Sequence, residues 1–145
     1  MIQTSNHILL DWTNNLFEKK EFSFQSKLQQ LCEKLKKEVA HFDWVGFYFA
    51  NHQNQTLNLK AFSGIPTEHT SIPFGKGICG QVALSNQTLN VPDVKESQNY
   101  IACSLEVKSE LVVPIFVDRI NIGQIDIDSK TPDRFSKKDE NLLSM

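Results

Sequence analysis

The chain has no apolar run near the roughly 20 residues that a membrane-spanning helix needs, so the sequence offers no membrane anchor. Its opening, MIQTSNHILLDW, lacks both a basic start and a long apolar stretch, which argues against a secretory leader. The expected location is the cytoplasm. Two Asn-x-Thr triplets, at Asn54 and Asn86, then carry no glycan. Excess charge is missing too. Fifteen basic residues against 17 acidic ones leave a net charge of −2, which gives no reason to expect nucleic acid or an anionic membrane as partner. Cysteine is scarce: three in 145 residues, in a reducing compartment, make no disulfide framework. Their spacing fits neither a zinc pattern nor Cys-x-x-Cys. No repeat, low-complexity block or Pro/Gly/Ser-rich linker divides the chain, so residues 1–145 are expected to form one domain.

What is present is a change of period. Residues 5–20 place Ile8, Leu9, Trp12, Leu16 and Phe17 at helical spacing. Residues 24–40 do the same with Leu28, Leu31, Cys32, Leu35 and Val39, and Ser23 or Ser26 is placed to cap that helix. WVGFYFA (44–50) and TLNLKAF (56–62) alternate in period two across the polar turn NHQNQ, a hairpin signature. Residues 64–77 read as loop, 78–86 as a short helix, and TLNVPD as a brief strand ending at Pro92. LVVPIFV (111–117) and NIGQIDID (121–128) read as strands joined at Asp118–Arg119, and a last helix over 135–145 opens at Ser136 with Asp139 as its box partner. Helices flanking antiparallel strands make the class α+β.

Chemistry concentrates at a few positions. GKGICG (75–80) has the G-x-G-x-x-G spacing, but Pro73 and a polar loop precede it instead of a buried strand, so the dinucleotide reading fails. Its glycines fit a place where backbone approaches a ligand closely. Cys32 lies on an apolar helix stripe and reads as core. Cys79 and Cys103 fall in loop or loop–helix contexts, where functional residues gather. Asp126 and Asp128 share one strand face, with Ile125 and Ile127 on the other. Two readings stay open for them: a solvated polar face, or a pocket wall that holds a cation or ammonium group with Glu110 beside it. Trp44 and Tyr48 also share a face across Gly46, either as core or as the aromatic wall of a small-molecule pocket.

DWVGFYF, IPFGKGICG, VPDV, YIAC, SELVVPI, IGQIDIDS and RFSKKDENLL, in that order, resemble the GAF domain of the free methionine-(R)-sulfoxide reductase family. The resemblance runs from about residue 42 to the end, and the N-terminal helices fit it. It implies a sheet of about six antiparallel strands with helices packed on one face and a pocket under loops on the other. The boundaries would be helices over 5–40, sheet and pocket over 42–130, and a last helix over 135–145. It implies Cys103 as nucleophile, Cys79 as a second redox cysteine able to pair with Cys103 and resolve it, and Glu110, Asp126 and Asp128 as pocket carboxylates, with Trp44 and Tyr48 as the aromatic wall. The substrate would be free methionine sulfoxide or a similar small molecule. Carboxylates suit its ammonium and can protonate the S=O oxygen; aromatic faces suit its methyl group. Thiolate attack on sulfur leaves a sulfenic acid, which a second thiol converts to a disulfide for a thioredoxin-type reductant.

No cofactor or metal is implied, and a homodimer is compatible with the sequence. The pattern departs at His69, where the family usually carries a third cysteine, and at Tyr100 and Ser104, where it has His and Asp. A non-catalytic GAF domain that senses a small ligand is therefore the alternative expectation.

Overall fold

Strand pleating decides the layout. A computed structural model of the chain describes residues 2–96 and 107–144, with side chains described over 7–95 and 107–144. Two helices lead: α1 (Ile2–Glu18) and α2 (Phe24–Glu38). Ser23 caps α2, its Oγ accepting from the Ser26 N–H at 3.1 Å, which satisfies a donor that the first turn leaves without an intrahelical partner. The hairpin β1 (Trp44–Asn51) and β2 (Thr56–Ser63) follows. Then come β3 (Ser71–Pro73), α3 (Gly77–Ser85), β4 (Leu89–Val91) and a 3₁₀ turn over Val94–Glu96. The hairpin β5 (Ser109–Val117) and β6 (Ile120–Ser129) and the helix α4 (Lys137–Ser144) close the chain.

The strands form one six-stranded antiparallel sheet in the order β3-β2-β1-β6-β5-β4. The β5–β6 turn has Asp118 and Arg119 at φ of 51° and 67°, the left-handed pair that a tight two-residue hairpin turn requires. Residues 64–77 are not all loop: Ser71, Ile72 and Pro73 pair with β2 at the sheet edge.

Because side chains alternate across a pleated strand, each central strand feeds two cores. Val45 and Phe47 of β1, Leu111 and Val113 of β5, and Ile125 and Ile127 of β6 face α2 and join Leu28, Cys32 and Leu35. The opposite face carries Trp44, Tyr48 and Val112, covered by Ile78, Cys79, Val82 and Ala83 of α3. The short helix expected over 78–86 thus helps to roof the face on which sequence resemblance places a pocket under loops. It reaches that place through a tight entry. The Gly75 N–H donates to the Gly80 carbonyl at 2.8 Å, and a Cβ on Gly80 would stand 2.8 Å from the Pro73 carbonyl oxygen. Among the described residues, no helix is long and apolar enough to cross a membrane.

Candidate functional site

The site grows out of three adjacent strands on the face beneath α3. Register sets Trp44 of β1 opposite Asp128 of β6, Gly46 opposite Asp126, and Tyr48 opposite Gln124. On the other side of β6, Glu110 pairs with Asp128 and Val112 with Asp126. Three carboxyls therefore stand together on a face that α3 shields from water. Glu110, Asp126 and Asp128 are at most 4% exposed. The solvated-strand reading of the aspartates is thereby excluded; both faces of β6 are buried, one by apolar side chains and one by these polar groups.

Cys79, on the first turn of α3, points down into the carboxyls. Its thiol donates to Asp126 Oδ2 at 3.3 Å and lies 3.9 Å from Glu110 Oε2. Gln124 holds the helix from below, its Nε2 donating to the Cys79 carbonyl at 3.1 Å. Glu110 also hydrogen-bonds Asp126. Two carboxyls bonded to one another require a proton between them, since like charges at this distance do not both ionise. Burial raises Asp126 above the usual carboxylate range, partly offset by the hydrogen bonds from Glu110 and Cys79. Burial first, then Asp126 and Glu110, push the Cys79 thiol well above its ordinary pKa. The cluster thus favours the protonated forms of its members.

Tyr48, His69, Ile72, Lys76, Cys79, Glu110 and Asp126 are among the residues lining the cavity over this cluster. About 10 Å³ of it is open to the centre of a water molecule, which is about one water's worth of room. Tyr48 is fully buried, with its hydroxyl donating to the His69 carbonyl at 2.8 Å. Trp44 and Asp128 occupy the same sheet face two register pairs along from Gly46 and Asp126. The Trp44 indole stacks on Phe62 at 5.8 Å between centroids and donates to the Ile65 carbonyl at 2.9 Å. It also lies across Gly46, where any Cβ would strike the ring.

The fold therefore gathers Tyr48, Cys79, Glu110 and Asp126 around one cavity, with Trp44 and Asp128 adjoining. Cys103, together with Tyr100 and Ser104, lies outside the described residues. Sequence reasoning passed over Gln124 and Lys76. The signal for Gln124 was present: it continues the two-residue spacing of Asp126 and Asp128.

Cys32 is fully buried on the helical face, where burial pushes its thiol up to about 12. Reactivity needs the thiolate, so neither Cys32 nor Cys79 should react with Ellman's reagent in the native protein at pH 8. Unfolding in guanidinium should release both. Native labelling of either at the rate of a free thiol would contradict this placement.

A six-stranded antiparallel sheet with helices on one face and a roofed polar pocket on the other defines an α+β domain of the GAF type. The chain belongs to the GAF domain family, whose model matches residues 23–145. More narrowly, it belongs to the free methionine-R-sulfoxide reductase family. It is 35% identical to the free methionine-R-sulfoxide reductase of Escherichia coli, over 85% of this chain and 73% of that one. It is 33% identical to the Neisseria meningitidis free methionine-R-sulfoxide reductase solved in complex with its substrate. That structure superposes with a TM-score of 0.79, over 98% of this chain and 78% of the other. Protein YtsP of Bacillus subtilis is 39% identical over 70% of this chain, and the match spans 62% of the Bacillus protein.

Proposed function

We propose that the protein reduces free methionine-(R)-sulfoxide to methionine, with Cys103 as nucleophile and a thioredoxin-type thiol as final reductant. One observation carries the reading: a buried, proton-sharing Glu110–Asp126 pair floors a water-sized cavity beside a helix N-terminus. A free amino acid sulfoxide has groups to match. Its ammonium suits the Asp128 carboxyl, which stands opposite Glu110 in the β5–β6 register. Its carboxylate suits Lys76 and the first turn of α3, where backbone N–H groups and the helix dipole favour an anion. The deep cavity fits one polar group, the sulfoxide oxygen, and the remainder of the amino acid extends toward the opening. Trp44 and Tyr48 supply the apolar wall for the S-methyl group.

The reaction balances as an oxygen transfer. The Cys103 thiolate attacks sulfur while the carboxyl pair protonates the oxygen. Protonation lets the S–O bond break with loss of water, leaving Cys103 bonded to a sulfonium; water then attacks the Cys103 sulfur, so that methionine leaves and Cys103 ends as the sulfenic acid. A second thiol condenses with the sulfenic acid, releasing water and forming a disulfide, which the external dithiol reduces. Cys79 keeps its proton in this scheme and holds Asp126 in place. We accordingly assign resolution of the sulfenic acid to an external thiol. The reading treats residues 1–145 as one domain, places the reaction in the cytoplasm, and leaves a homodimer compatible with it.

The test is NADPH oxidation coupled through thioredoxin and its reductase. Free methionine-(R)-sulfoxide should drive it, whereas the S epimer and N-acetylated sulfoxide should not, because an acetyl group removes the charge that the Asp128 carboxyl binds. Tight binding of the amino acid with no reduction under thioredoxin or dithiothreitol would support the sensory reading instead.

A further inference from the structure

The sequence separation of Cys79, Glu110 and Asp126 matches no metal motif, yet the fold brings one ligand atom of each within 4.8 Å of the other two. We propose that this trio is a binding site for a thiophilic divalent cation of the zinc class, occupying the place where a substrate's polar head would sit.

Geometry is the first argument. With Zn–S near 2.3 Å and Zn–O near 2.1 Å, a tetrahedral ion holds its sulfur and oxygen ligands about 3.6 Å apart. The Cys79 Sγ distances to Asp126 Oδ2 and Glu110 Oε2, 3.3 and 3.9 Å, bracket that value. One sulfur and two oxygens leave a fourth position for water, and the adjoining cavity has room for one.

The second argument concerns an atom that the ligand distances do not use. Asp126 is 1% exposed and lines the cavity, yet its Oδ1 finds no hydrogen-bond donor among the described residues. Gln124 Oε1, fully buried two residues before it, finds none either. A buried acceptor without a donor is costly, of the order of 1–3 kcal/mol, and it points to a bound cation or donor. The ligand set selects the metal. Calcium takes six to eight oxygen ligands, and magnesium keeps a near-octahedral shell of oxygens; a thiolate in a water-sized space favours zinc or cadmium.

Charge balances on binding. The dication replaces two protons, one from the Cys79 thiol and one shared by Glu110 and Asp126, and both pass to solvent. No electron transfer is involved. Metal and sulfoxide would exclude one another, so zinc would act as an inhibitor of the proposed reductase. The site itself does not rest on that activity, because metal binding is read with no sulfoxide present.

The experiment titrates Cd²⁺ into reduced, metal-free protein and follows the ultraviolet thiolate-to-cadmium charge-transfer band, with Zn²⁺ binding measured by calorimetry. The wild type and Cys103→Ala should bind one equivalent with the band. Cys79→Ala should lose the band and bind at least about 100-fold more weakly, since even outer partners of a metal site are worth 10–100-fold. Glu110→Gln and Asp126→Asn, each checked for native circular dichroism, should weaken binding similarly; either one suffices if the other misfolds. A wild type without the band, or a band that survives Cys79→Ala and vanishes in Cys103→Ala, would overturn the site.

Discussion

Cys103→Ser should abolish the first turnover on free methionine-(R)-sulfoxide, lowering the single-turnover rate by at least about 1,000-fold, as loss of a covalent nucleophile does. Cys79→Ser should complete that turnover. The asymmetry follows from where the thiols stand. Burial first, then the Asp126 and Glu110 carboxyls, oppose ionisation of Cys79, and Cys32 is sealed between α2 and the sheet. A serine at 79 keeps a donor for Asp126. With dithiothreitol as reductant, Cys79→Ser should cycle repeatedly at a rate within about tenfold of wild type if, as proposed, an external thiol resolves the sulfenic acid. Single-turnover methionine formation, followed by multiple-turnover assay, measures both steps. A first turnover that survives Cys103→Ser would remove it as nucleophile; a Cys79→Ser enzyme that stops after one cycle would restore Cys79 as resolving thiol.

Asp126→Asn should separate activity from stability. Removing a positioned proton donor lowers kcat by about 10²–10⁴-fold. The same change should stabilise the fold at alkaline pH. The folded pKa of Asp126 is raised by burial, so the folded state holds its proton more tightly than the unfolded chain does. The stability contribution is therefore complete below the unfolded value near 3.9 and is lost as pH rises through the folded value. Asparagine is neutral throughout and escapes that loss. Each unit of upward shift is worth about 1.4 kcal/mol, or about 3–5 °C of Tm in a domain of this size. Thermal melts of both proteins at pH 4 and pH 8 should show a difference that grows with pH. Wild-type activity should also decline on the alkaline side as the carboxyl proton is lost. A Tm gain equal at both pH values would mean that Asp126 is not protonated in the folded protein.

Residue spacing goes far toward this structure, and it stops at identifiable places. The alternation in WVGFYFA and NIGQIDID determines which residues share a face, and the structure keeps that pairing. It does not determine whether the polar face of β6 meets water, because that depends on α3, whose Cys79 lies 47 residues before Asp126 in the chain. The three residues of β3 are too few to carry a period, and only pairing with β2 makes them a strand. Cys79 reads as part of a short helix, but its depth under that helix comes from the Gly75–Gly80 closure. Trp44 reads as a pocket wall by its place beside Tyr48; its stacking on Phe62 requires the β1–β2 register.

The Tyr48 hydroxyl is anchored to the main-chain carbonyl of residue 69. Any amino acid supplies that carbonyl. The identity of residue 69 can therefore drift during evolution without unmooring the tyrosine or dismantling the cavity wall. A lineage could exchange the cysteine usual in this family for the histidine found here while the ligand-binding architecture stays intact. Redox wiring and pocket construction are, at this one position, separately heritable traits.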